Sequence, residues 1–171
     1  MIEYRDARVE DGTELDAMAR EVWLEVFGHS GSPQDIALYL AKAYGPNGDL
    51  IRHLSDPDHR FRVACANGKI VGYAKLSVPW LPEGNFGAKA RQLSQIYVAA
   101  THRGAGVANA LMDWTIEAAR TVGADELLLT VWEHNPRATR FYEKLGFVHV
   151  ADYEFPMGEQ IDRDLIMRLA L

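Results

Sequence analysis

The stretch Gln95-Ile-Tyr-Val-Ala-Ala-Thr-His-Arg-Gly-Ala-Gly-Val-Ala108 decides how the chain is read. A β-type run ends at Val98, a short loop carries Arg103, Gly104, Ala105 and Gly106, and helical periodicity follows. Val107, Leu111, Trp114 and Ala118 fall on one helical face. Small residues let the backbone approach a ligand, and glycine adopts φ > 0 without a Cβ penalty. The first N–H groups of a helix lack internal partners and stand at the positive end of its dipole. Loop and helix start therefore suit a phosphate or pyrophosphate, with an ordinary strand-to-helix turn as the plain alternative. The stretch is not a P-loop, because no Gly-Lys-Ser/Thr follows. Nor is it the dinucleotide fingerprint, because Asn109 stands where the third glycine belongs.

Working outward, Leu127–Trp132 is a continuous apolar run, as in a strand buried on both faces. Next comes Trp132-Glu-His-Asn-Pro-Arg-Ala-Thr-Arg-Phe-Tyr-Glu-Lys-Leu-Gly-Phe147. Asn135 takes the N-cap position of a helix, Pro136 its first turn, and Gly146 the place just past its end. Ala138, Phe141, Tyr142 and Leu145 share a face. Periodicity alone makes Tyr142 a core aromatic with its hydroxyl at the rim. Phe147–Tyr153 and Leu165–Leu169 read as strands. Upstream, a strand over Ile2–Ala7 precedes helices over residues 15–26, Asp35–Tyr44 and Leu50–Leu54. Phe61–Ala66 and Lys69–Val78 form a hairpin through Asn67-Gly68. A loop over Pro79–Ala88 leads into a strand over Arg91–Ala99. Strands alternate with helices after residue 91, which predicts an α/β fold with a mixed sheet covered on both faces.

The 171 residues suit one domain, spanning 1–171. Hydrophobic residues are 48% and charged residues 25%, enough for a packed core. Eighteen basic residues against 24 acidic ones give a net charge of −6, which argues against a nucleic-acid partner and is compatible with a cationic substrate. No run is apolar enough to cross a membrane, and the charged stretch from Met1 to Gly12 lacks the apolar region of a secretory signal. Cys65 is the single cysteine, so a disulfide framework within the chain and a thiolate-rich zinc site are excluded, and a cytoplasmic location is expected. The segment from His53 to His59 is interrupted by Pro57, fits no zinc spacing and reads as a polar loop; no metal is expected. Cys65 reads as packing, and Trp23, Trp80, Trp114 and Trp132 as core or pocket wall.

The two informative segments together resemble the GNAT family, the GCN5-related N-acetyltransferases. The resemblance rests on Arg103-Gly-Ala-Gly106-Val-Ala108, on Asn135, Ala138, Tyr142, Gly146 and Phe147 at the family's spacing, and on the strand end Ile96-Tyr97-Val98. Within the family, Gln95-Ile-Tyr-Val98, Trp132-Glu-His-Asn135 and the tail from Phe155 to Met167 resemble the PaiA-type spermine/spermidine acetyltransferases. This chain has Gln92 where members of that group often carry an acidic residue, so the resemblance does not assign the general base.

The resemblance implies the acyl-CoA N-acyltransferase fold, with a six- to seven-stranded mixed sheet. It implies transfer of acetyl from acetyl-CoA, without metal, to a primary amine, here a small polyamine. The alternatives are a protein N-terminal or other small-amine acetyltransferase and a non-catalytic acyl-CoA-binding module. Residues 103–108 would hold the pyrophosphate through backbone N–H groups, and Ile96, Tyr97 and Val98 would pair with the pantetheine where Leu93–Val98 and Leu127–Trp132 splay. Asn135 and Ala138 complete the coenzyme set, and Tyr142 would be the acid serving the leaving thiolate. Glu133, His149, Asp152 and Glu154 are the candidate bases. Glu25, His29 and Asp35 lie in the region that shapes the amine pocket. The resemblance also allows a homodimer.

Overall fold

The chain folds around one seven-stranded sheet, and the computed structural model describes all of residues 1–171. Its strands are β1 (Ile2–Asp6), β2 (His59–Ala66), β3 (Lys69–Ser77), β4 (Ala90–Val98), β5 (Glu126–Trp132), β6 (Val148–Met157) and β7 (Gln160–Ala170). The helices are α1 (Gly12–Phe27), α2 (Pro33–Ala43), α3 (Asp49–His53), α4 (Val107–Thr121) and α5 (Pro136–Lys144). Strand order is β1-β2-β3-β4-β5-β7-β6. Every neighbouring pair is antiparallel except β4 and β5.

Local chemistry sets the boundaries. Asn67 at φ 50° and Gly68 at φ 76° turn β2 into β3. The Ser32 hydroxyl caps α2 by accepting the Asp35 N–H at 3.1 Å. The Asn135 side-chain oxygen Oδ1 caps α5 by accepting the Ala138 N–H at 3.3 Å. On one face of the sheet, Val107, Leu111 and Met112 of α4 pack with Leu93, Val98, Leu127, Leu129 and Met167. Gly72 permits this close approach, since a Cβ there would meet the Tyr97 carbonyl oxygen at 3.1 Å and the Val107 side chain at 3.2 Å. On the other face, Leu15, Trp23, Ile36 and Leu50 of α1–α3 cover Phe61, Val63 and Tyr73. Leu81, from the connection before β4, continues that layer over Ala90, Leu128 and Ile166.

The parallel pair is short. Ala90, Arg91 and Gln92 pair with Glu126, Leu127 and Leu128, and the pairing stops there. Beyond it, β4 stays with β3 as far as Val98 opposite Gly72, and β5 stays with β7 as far as Trp132 opposite Asp164. The strands part at a bulge. Lys75 faces Gln95 and Leu76 faces Leu93, so Ser94 has no partner across the ladder. A bulge bends its strand and resets the alternation of faces. Leu93, Ile96 and Val98 consequently all pack toward α4.

The C-terminal strands are longer than the sequence suggested. The apolar pattern predicted 147–153 and 165–169, whereas β6 and β7 run to Met157 and from Gln160. Asp162, Arg163 and Asp164 give no apolar signal, but they continue the β6–β7 ladder from Tyr153 to Phe155. Arg163 also pairs with Asp152 at 2.8 Å and Glu133 at 3.0 Å.

Candidate active site

A cleft of about 1170 Å³ opens where β4 and β5 separate. That exceeds the roughly 300–1,000 Å³ of a site for one drug-sized molecule. Its walls include Ile96, Tyr97, Val98, Arg103, Gly104, Gly106, Val107, Ala108, Asn135, Ala138 and Tyr142. The expected coenzyme residues are thus brought together, except that Ala105 does not reach the wall.

The loop is built to receive an anion through its backbone. Gly104 at φ 79° and Gly106 at φ 81° hold conformations that L-residues with a Cβ rarely adopt. No atom lies within 4 Å of a Cβ at either position. The N–H groups of Gly104, Ala105 and Gly106 find no acceptor in the protein, and Ala110, bonded to the Gly106 carbonyl at 3.0 Å, is the first satisfied donor of α4. These unmet donors at a dipole's positive end fit a pyrophosphate. The Arg103 side chain is engaged elsewhere. Its guanidinium donates to Glu25 at 2.6 and 3.0 Å and to the Val98 carbonyl at 3.2 Å. This ion pair holds the Glu25 carboxyl below its ordinary range. Glu25 therefore ties α1 to the loop.

Tyr142 is 9% exposed and packs edge-on against Phe141 and Phe147. Burial pushes its phenol well above the ordinary tyrosine range.

The other half of the cleft, under α1–α3, is walled by aromatics. Trp23 stacks on Tyr39 at 4.6 Å, Phe27 leans on Trp132 at 5.5 Å, and Trp80 meets Tyr153 edge-on at 5.6 Å. Among them stands Asp164, opposite Trp132 on β7. Burial raises its carboxyl to about 6; the Thr130 hydroxyl works the other way, and Asp162 and Glu133 add to the rise. Sequence reading missed Asp164 because its strand lacked an apolar pattern. The candidate bases lie off this wall. Glu133 and Asp152 pair with Arg163, His149 bonds Asp152 at 2.7 Å, and Glu154 is exposed. Gln92 does not itself line the cleft: it is fully buried behind the wall and accepts the N–H of the wall residue Trp80 at 3.1 Å. Its place in the fold is a brace for the connection before β4. His53, Asp58 and His59, read as a polar loop, do line the cleft, His53 from α3 and His59 from β2. No group of acidic, histidine or cysteine residues is arranged to hold a metal, and no helix is long and apolar enough to cross a membrane.

This pairing of a splayed parallel pair with a glycine-built anion loop defines a class, and comparison with known proteins agrees. The profile of the acetyltransferase (GNAT) family matches residues 16–147. An uncharacterized N-acetyltransferase of Mycobacterium tuberculosis is 31% identical over 157 residues, covering 92% of this chain and 96% of that protein. Another, from Lactobacillus delbrueckii, is 27% identical over 161 residues, covering 94% and 92%. The PaiA N-acetyltransferase of Thermoplasma acidophilum, solved with coenzyme A, superposes with a TM-score of 0.78 at 22% identity over 100% of this chain and 99% of that one. YncA of Salmonella typhimurium, solved with acetyl-CoA, gives 0.72 at 20% identity over 99% and 94%. The chain belongs to the GNAT family and is an acetyl-CoA-dependent N-acetyltransferase.

Proposed function

We propose that the protein acetylates a small primary amine, with Asp164 receiving the amine's proton and Tyr142 serving the departing thiolate. The observation that carries this reading is Asp164, a half-buried carboxylate raised to about 6, inside an aromatic-walled pocket that is continuous with the anion loop. Acetyl-CoA supplies the activated thioester. Residues 103–108 hold its pyrophosphate with backbone N–H groups. The edges of β4 and β5, unpaired beyond Gln92 and Leu128, offer main-chain groups to its amides. A free alkylamine is protonated at neutral pH, with a pKa of about 10.4. Loss of water inside the pocket disfavours that charge, and Asp164 stands within the same pocket to take the proton. The Tyr142 phenol is a weaker acid than a thiol of pKa about 8.5. It therefore acts on the thiolate chiefly as a hydrogen-bond donor.

Within this class, spermidine and spermine are the acceptors suggested by the PaiA-type resemblance and the net charge of −6, and Asp162 and Asp164 on one wall support an ammonium-bearing acceptor. Lys75 on another wall opposes a long polycation spanning the pocket. Tyr142 favours a catalyst over a non-catalytic acyl-CoA binder, which has no use for a donor at the thiolate. We also infer a cytoplasmic location, from composition and the free thiol of Cys65. The test is thiol release from acetyl-CoA with polyamines, amino acids, aminoglycosides and short peptides. Turnover of small amines that collapses in Asp164→Asn supports the reading. Turnover confined to peptide N-termini would replace it with the protein-directed alternative.

A further inference from the structure

Lys75 has no role in the chemistry above, yet its placement is costly. It is 7% exposed, and its ammonium meets only Nδ1 of His53, at 2.6 Å. Asp49 of α3 and Asp56 of the following turn act on it through space and form no ion pair with it. The Phe61 ring lies 5.6 Å away. His53 stacks on His59 at 3.8 Å, and His59 in turn reaches Asp56 at 3.3 Å. Burial pulls His53 down to about 4 and Lys75 to about 8. At neutral pH, therefore, a neutral imidazole faces a buried cation. A buried charge is ordinarily paired. Lys75, His53, His59 and Asp58 all line the cleft, so the missing partner can arrive with a ligand.

The coenzyme's pyrophosphate is not that partner. Lys75 points with Phe61 into the layer under α1–α3, whereas the anion loop opens α4 on the opposite face. The acceptor half therefore has two ends. Lys75 on β3 sits in register with Gln95, beside the bulge where β4 turns away from β5. Asp164 lies across the gap on β7. Adjacent strands are about 4.8 Å apart. Lys75 on β3 and Asp164 on β7 are three strand intervals apart, about 14 Å or more before their side chains reach inward, a separation suited to an extended acceptor with its two ends several methylenes apart.

We propose that Lys75, oriented by His53, forms an anion subsite of the acceptor pocket, and that the acceptor is an amine carrying a carboxylate. This rests on the amine-acetyltransferase reading and narrows its substrate class. Asp164 and the aromatic walls take the amine end, and the lysine takes the acid end.

The test compares acids with their own amides: 6-aminohexanoate with 6-aminohexanamide and 8-aminooctanoate with 8-aminooctanamide, spermidine being the third arm. With full-length protein and saturating acetyl-CoA, kcat/KM for at least one acid should exceed that of its amide by 10-fold or more, and exceed that of spermidine. In Lys75→Met this preference should collapse, the loss falling on the acid's KM more than on kcat. Amides or spermidine turned over as well as the acids, or a preference that survives Lys75→Met, would overturn the proposal. The wild-type comparison needs no variant, so a Lys75→Met that fails to fold leaves it decisive. If no amine releases thiol, the acetyl-transfer reading of these acceptors fails instead. The subsite is then judged by melting temperature with coenzyme A present: an acid should raise it where its amide does not, and equal shifts would overturn the subsite.

Discussion

The two halves of the cleft are made in different ways. The half we assign to the coenzyme is backbone: two glycines at positive φ, the unmet N–H groups of a helix start and the bare edges of two strands. All of it comes from one continuous region, residues 90–142. The acceptor half is side chains: Phe27 from α1, Tyr39 from α2, His53 from α3, Lys75 from β3, Trp132 from β5 and Asp164 from β7. A backbone site tolerates sequence variation outside its glycines. A side-chain site changes with each substitution, and we place substrate choice there.

The sharpest way to break this contrast is Asp164→Asn. Loss of a general base is expected to lower kcat by roughly 10²- to 10⁴-fold. Wild-type kcat/KM should climb steeply up to about pH 6, as Asp164 ionises and the amine begins to lose protons, and less steeply above it. The variant should show only the shallower slope. Stability should move the other way. The folded carboxyl titrates at about 6, above its ordinary 3.8, so burial destabilises the fold increasingly as pH rises between those values. Asp164→Asn should therefore melt higher than wild type at pH 7, with the advantage gone below pH 3.8. A kcat unchanged in the variant would leave the acceptor half without a base.

Gly106→Glu tests the other half. It sets a carboxylate among the free N–H groups at φ 81°, and acetyl-CoA affinity should fall at least 100-fold, about 2.7 kcal/mol. Gly123→Glu is the control, because Gly123 has φ 84° and open space but lies off the cleft. It should lose stability alone. Isothermal titration separates the two, and equal affinities would remove the loop from the coenzyme site.

Tyr142→Phe sits between the halves. We expect kcat to fall on the order of 10- to 1000-fold with the acetyl-CoA dissociation constant nearly unchanged. A wild-type kcat would reduce Tyr142 to packing.

The smallest effect belongs to Glu25→Gln. Exposed ion pairs contribute about 0.2–1 kcal/mol. Acetyl-CoA affinity should shift by less than about fivefold, and a larger change would show that the α1-to-loop tie sets the loop's conformation.

The sequence by itself determined the loop and helix start that we assign to the coenzyme. Asn135, Tyr142 and the loop from Arg103 to Ala108 lie within about 40 residues, and helix caps and glycine turns act over a few residues, so the loop and the cap show in the spacing while Tyr142 is singled out by the family resemblance. It also determined the hairpin at Asn67-Gly68 and the apolar run of β5. Three things needed the tertiary structure. Ser94 bulges where β4 stays with β3 and leaves β5, and a bulge set by pairing partners leaves no mark in a period-two pattern. Asp164 reads as an exposed charge until the β6–β7 hairpin carries it beside Trp132. Lys75 and His53, 22 positions apart on a strand and a short helix, meet only when α3 packs over the sheet. Local hydrogen bonding and φ preferences are encoded residue by residue, whereas burial and charge pairing depend on what the rest of the chain brings alongside.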